Sequence, residues 1–212
     1  MKKLLAFSLT VVMALSLCAC KKIPDSGAWK EAESSDNAGE TSTARTVEAL
    51  TLKKIDPSKI VVAYFDLRGG VKETADAFVS ELGCASFEIV PVLAYPEDEA
   101  AMLERADREF EKNEYPALSG YLENASDNLA VIAVYPELNG NMPMALKTFL
   151  DDYDLRRTAV LPVCVCSGEN AGKSFEQIRE TIVSAPVYSG LEIHSGDDIS
   201  ALCAEWVNAA LK

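Results

Sequence analysis

The sequence predicts a doubly wound α/β domain: a five-stranded parallel sheet, strand order 2-1-3-4-5, with helices on both faces in three layers, α/β/α. Two observations predict it. Short β-branched and aromatic runs alternate with amphipathic helical patterns from Lys59 to the end of the chain. The runs are apolar at consecutive positions, as in strands covered on both sides.

Lys59 to Phe65 reads as the first strand, and Asp66 to Gly70 as the loop after it. Val71 to Leu82 follows a helical period, with Val71, Ala75, Phe78, Val79 and Leu82 on one face. Ser86 to Pro91 is the second strand, and Glu97 to Asn113 a long charged helix with Pro96 near its start. Asn128 to Tyr135 is the third strand, followed by a loop from Pro136 to Met142 and a helix from Pro143 to Asp152. Thr158 to Val165 is the fourth strand, with a glycine-containing loop from Cys166 and a helix from Ser174 to Val183. Val187 to Ile193 is the fifth, and Asp198 to Leu211 the closing helix, capped by Asp197 or Asp198. In such a sheet ligands bind at the carboxyl ends of the strands, near the switch point between the first and third. The loops that matter are then 66–72, 136–142 and 166–173.

The N-terminal segment has a different character. Lys2 and Lys3 precede an apolar run from Leu4 to Leu17, too short for the roughly 20 residues of a membrane span. This is the layout of a secretory signal. Leu17-Cys18-Ala19-Cys20 resembles a bacterial lipobox. The resemblance implies a signal peptide over 1–19, lipidation of Cys20, and a membrane-anchored protein on the extracytoplasmic face. Two acyl chains, at roughly 0.8 kcal/mol per buried methylene, hold such an anchor stably. Residues 20–57, rich in small and polar types between 21 and 50, read as a flexible tether, and 58–212 as the folded domain.

Without residues 1–19 the chain loses only Lys2 and Lys3, leaving 18 basic against 33 acidic residues, a net charge of −15. That balance excludes a nucleic-acid partner, whose phosphates need Lys and Arg, and a domain lying flat on anionic lipid. Metal binding is not expected either. Cys164-x-Cys166 has no second close pair, and the single histidine, His194, lies far along the chain. Cys84, Cys164, Cys166 and Cys203 fall in strands, helices or their ends and read as buried small side chains. No Gly-x-Ser-x-Gly elbow marks a hydrolase. Cys166 at a strand tip would be a reactive thiol only with a cation, such as Lys173, beside it.

Several stretches carry a family resemblance. They are Val61-Val-Ala-Tyr-Phe65, Phe87-Glu-Ile-Val-Pro91 with Tyr95-Pro-Glu-Asp98, and Tyr115-Pro-Ala-Leu118. Tyr135-Pro136 with Gly140-Asn-Met-Pro-Met144 and Thr148-Phe-Leu150 completes the set. In this order they resemble a short-chain flavodoxin-like domain over residues 59–211. The resemblance implies FMN binding, with electron transfer or reduction of a small acceptor as the activity, and a redox partner protein. It places the cofactor on three loops: Arg68, Gly69, Gly70, Val71 and Lys72; Pro136, Leu138, Asn139, Gly140, Asn141 and Met142; and Cys166, Ser167 and Gly168. The sequence departs from the family there. A phosphate loop of the type Ser-x-Thr-Gly-Asn-Thr is replaced by Asp66-Leu-Arg-Gly-Gly-Val-Lys72, which puts a carboxylate where a phosphate of about −1.5 to −2 charge belongs. The family's Trp pair is replaced within Glu137-Leu138-Asn139. The alternative is therefore a degenerate flavodoxin fold without FMN, acting as an extracytoplasmic binding or interaction module.

Overall fold

The computed structural model describes residues 49–212, apart from Arg68 and Glu169. The expected signal peptide, the expected lipidation residue Cys20, most of the expected tether and Arg68 of the first loop lie outside the described residues. The chain runs β1 (Ile60–Tyr64), α1 (Val71–Leu82), β2 (Ala85–Glu88), β3 (Val90–Pro91), α2 (Glu99–Lys112), β4 (Leu118–Ser119), β5 (Ala130–Pro136), α3 (Met144–Asp152), β6 (Ala159–Val165), α4 (Ser174–Thr181), β7 (Leu191–Ile193) and α5 (Ile199–Asn208).

Five strands form one parallel sheet in the order β2-β1-β5-β6-β7. Counting only the strands of this sheet, that is 2-1-3-4-5, as expected. Ile60 lies opposite Ala130, and Val131 opposite Val160, so the apolar runs stack in register. Side chains alternate across the sheet. Val61, Ala63 and Phe65 join one core with Met102, Leu146, Phe149 and Ile178, beneath α2, α3 and α4. Ile60, Val62 and Tyr64 join the other with Val71, Phe78, Trp206 and Val207, beneath α1 and α5. The central strands are covered on both faces, which is why they are apolar at every position.

Local chemistry fixes the helix ends. The Asp98 and Asp198 carboxylates accept from the N–H groups of Ala101 and Ala201, at 2.9 and 3.0 Å, and cap α2 and α5. α1 spans the residues its period predicted and stops at Gly83, whose N–H donates to Val79 O at 2.8 Å.

The structure differs from the sequence reading at three places. The second predicted strand is split: after Ile89, Val90 and Pro91 leave the sheet and pair antiparallel with Leu118 and Ser119. Proline has no N–H for a parallel ladder, and it sits where the chain turns away. The fifth strand is shorter than Val187–Ile193. Val187 makes an isolated bridge to Val160, but Ser189 N–H turns to Lys212 O at 2.7 Å, and pairing resumes only at Leu191. The folded unit also begins before the expected boundary at 58. Leu50 pairs with Leu211 in both directions, at 2.8 and 2.9 Å, and Leu52 is fully buried beside α5. A polar composition around them hides these two leucines. The four cysteines expected in the core are free and buried. No helix among the described residues is long and apolar enough to cross a membrane.

Candidate functional site

The parallel strands all end at one edge, and the three loops predicted to matter meet there. The first offers a turn and little else. Gly70, at φ 100°, swings the chain into α1. The hydroxyl of Thr74 donates from Oγ1 to Gly70 O at 2.7 Å, one turn back at the start of α1, so it is engaged by the helix backbone. Val71 is fully buried in the core and offers no side chain to a ligand. Lys72 pairs with Asp76, one turn along, at 2.7 Å. Gly69 is exposed and Asp66 half-buried.

The second and third loops are joined to each other. Leu138 and Asn141 exchange backbone hydrogen bonds at 3.0 Å around Asn139 and Gly140, whose φ values of 51° and 78° are those of a tight primed turn. Lys173 N–H donates to Gly140 O at 2.9 Å. Gly172 approaches so closely that a Cβ there would sit 2.5 Å from Gly140 O. The decisive group is Glu137, which follows Pro136 at the end of β5 and is 5 % exposed. Its carboxylate accepts from Gly140 N–H at 2.6 Å, Ser167 Oγ at 2.7 Å and Gly168 N–H at 3.1 Å. A buried carboxylate requires such donors, and here they come from both loops.

The remaining predicted residues of the second loop face inward or are already engaged. Leu138 and Met142 are buried in the core. Asn139 Nδ2 donates to the Asp107 carboxylate at 2.9 Å, and Asn141 Oδ1 accepts from Gln177 Nε2 at 2.8 Å. Gln177 Oε1 accepts from Met142 N–H, also at 2.8 Å.

Beside these loops a cleft of about 450 Å³ opens between the first and third loops and the turn after β7. Gly69, Gly70, Glu73, Pro136, Cys166, Ser167, His194 and Asp197 are among its lining residues. His194 is far from the loops in sequence, but the register of β6 and β7 brings it to Cys166. Burial, with Glu192, Glu137 and Asp197 nearby, pushes the Cys166 thiol up, the opposite of a cation-activated nucleophile. Sequence reasoning gave Glu137 and Glu192 no role. The one available signal was an acid placed between Pro136 and Leu138 at the end of an apolar strand.

A flavodoxin family model matches residues 59–210. The chain belongs to the flavodoxin family. A protein assigned as a flavoprotein from Bacteroides eggerthii is similar in structure at 24 % identity, covering 72 % of this chain and 98 % of that one, with a TM-score of 0.65. A flavoprotein from Lactobacillus acidophilus NCFM, solved in complex with FMN, is similar at 17 % identity, over 68 % of this chain and 98 % of that one, with a TM-score of 0.57. These identities show a shared fold. No curated protein matches the chain.

In this flavodoxin the contact between Gly172 and Gly140 sets the spacing of the two loops. Gly172 combines φ 58° with a backbone neighbour that cannot rotate away. Gly172→Ala is therefore expected to lower stability by about 1–3 kcal/mol, measured by urea denaturation. An unchanged midpoint would show that the loops are not packed this closely.

Proposed function

We propose that this chain is a membrane-tethered, extracytoplasmic member of the flavodoxin family whose loops no longer form a flavin site and serve as a binding module. The observation that carries this reading is the Glu137 carboxylate. It consumes the Gly140 and Gly168 N–H groups, the donors the second and third loops would offer to a ring edge. The other residues present do not fit FMN either. Leu138 and Met142 are buried in the core and offer a ring no apolar cover from the second loop. Thr74 is turned to Gly70 O, and Lys72 to Asp76. Glu73 and Asp197 line the cleft and put negative charge where a phosphate dianion would be repelled.

A second reading is an FMN-dependent electron carrier or reductase of small acceptors, with a redox partner. It is favoured by the family match and by the FMN bound in the Lactobacillus acidophilus relative. Gly69 and Gly70 also keep a glycine turn at the N-terminus of α1. Adding FMN to the purified protein separates the two. The first reading predicts a colourless protein that leaves FMN fluorescence unchanged. A yellow protein, or stoichiometric quenching of the added flavin, overturns it.

The tether reading is supported by Leu17-Cys18-Ala19-Cys20 after a short apolar run. Fatty-acid labelling in cells is expected to tag the wild-type chain and not Cys20→Ser. Equal labelling of both would place the anchor elsewhere or nowhere.

A further inference from the structure

β6 and β7 bring three metal-ligating side chains to one point. Glu192 and His194 are two residues apart on and just beyond β7, so they project from the same side of that strand. The parallel register sets Cys164 opposite Glu192, and Cys166 N–H donates to Ile193 O at 2.8 Å, which carries Cys166 alongside His194. Cys166 Sγ, a Glu192 carboxylate oxygen and an imidazole nitrogen of His194 all lie within 4.8 Å of one another. We propose that Cys166, Glu192 and His194 form a binding site for a divalent transition-metal ion of the zinc class, with its fourth coordination position open to the cleft.

The geometry is close to what such an ion needs. Zinc takes sulfur at about 2.3 Å and nitrogen or oxygen at about 2.0–2.2 Å, which sets tetrahedral ligand atoms roughly 3.3–3.8 Å apart. Glu192 Oε2 and His194 Nε2, at 3.5 Å, already lie in this range. The backbone holds each ligand in place. Glu192 Oε1 accepts from Ala171 N–H at 3.0 Å, leaving Oε2 toward His194 Nε2 at 3.5 Å. The Asp197 carboxylate accepts from His194 N–H at 2.7 Å, and Asp197 N–H returns to His194 O at 3.2 Å, so the turn after β7 is pinned at both ends. Partners of this kind orient ligands before the ion arrives.

The donor set chooses the ion. A thiolate and an imidazole favour zinc, cobalt, nickel or copper over magnesium and calcium, which take oxygen. On binding, the Cys166 S–H bond breaks, the proton leaves to solvent, and a metal–sulfur bond forms without change of oxidation state. Glu73 and Asp197 line the same cleft and add attraction for a cation. Three protein ligands and an open fourth position leave room for water or a small anion. The linear spacing hid this arrangement, because its ligands come from two neighbouring strands rather than one motif. The site goes beyond the binding-module reading, and the flavin experiment leaves it untouched.

Cobalt(II) is the probe. Titrated into the purified full-length chain under reducing conditions, it is expected to give a thiolate-to-cobalt charge-transfer band with the visible bands of a four-coordinate ion. Zinc should abolish both. Cys166→Ser keeps the other cysteines and should lose the charge-transfer band. His194→Ala, at a half-exposed position, should weaken cobalt binding at least about tenfold with the circular-dichroism spectrum of the wild type. A wild-type chain without the band overturns the proposal, and so does an undiminished band in Cys166→Ser or wild-type affinity in His194→Ala.

Discussion

The geometry of the loops rests on one buried carboxylate. Glu137 leaves the end of β5 almost fully covered, where an ionised group without partners would cost several kcal/mol. It is satisfied only because two loops fold over it. Gly140 supplies one N–H from the second loop, and Ser167 and Gly168 supply a hydroxyl and an N–H from the third. Further bonds follow from that junction. Lys173 donates to Gly140 O, and Gln177 bridges Met142 and Asn141, so the start of α4 is tied to the start of α3. Charge-assisted bonds of this kind are about twice as strong as neutral ones, and they hold the edge of the sheet in one arrangement.

Beneath the loops the fold is the common scaffold of its family. Two apolar cores enclose the sheet, and every strand end is delivered to one edge. That scaffold does not decide what the edge binds. The same sheet that shares its shape with the FMN-bound Lactobacillus acidophilus structure here presents acids, a buried thiol and an imidazole. The loops at the end of β5 are joined to each other, and a cleft remains on the side of β7. A lipid anchor upstream would hold that cleft outside the cytoplasm, where flavin donors of the cytoplasm do not reach and metal ions do.

Much of the fold could be read from the sequence because its signals are local or repeat along the chain. The period of Val71, Ala75, Phe78 and Leu82 gave α1 to the residue, and apolar runs gave the central strands. What could not be read depends on groups distant in sequence. Leu50 and Leu52 look like part of a polar tether until Leu211 and α5 come to meet them. The fifth strand breaks where Ser189 N–H turns to Lys212 O. The three loops do meet at one edge of the sheet, but what their side chains contact depends on groups distant in sequence. Asn139 and Asn141 have amides suited to a ligand, and Asp107 and Gln177 take them. Glu137 and Glu192 carry no motif, and their importance comes from partners about 20 to 30 residues away.

The central claim is that Glu137 holds the second and third loops together through the amides of Gly140 and Gly168. Hydrogen exchange at these two amides, followed by NMR in the wild type and in Glu137→Ala, tests it most directly. The account predicts slow exchange at both in the wild type and a joint loss of protection in the variant, with the core strands unchanged. Fast exchange of either amide in the wild type, or protection that survives the substitution, would contradict it.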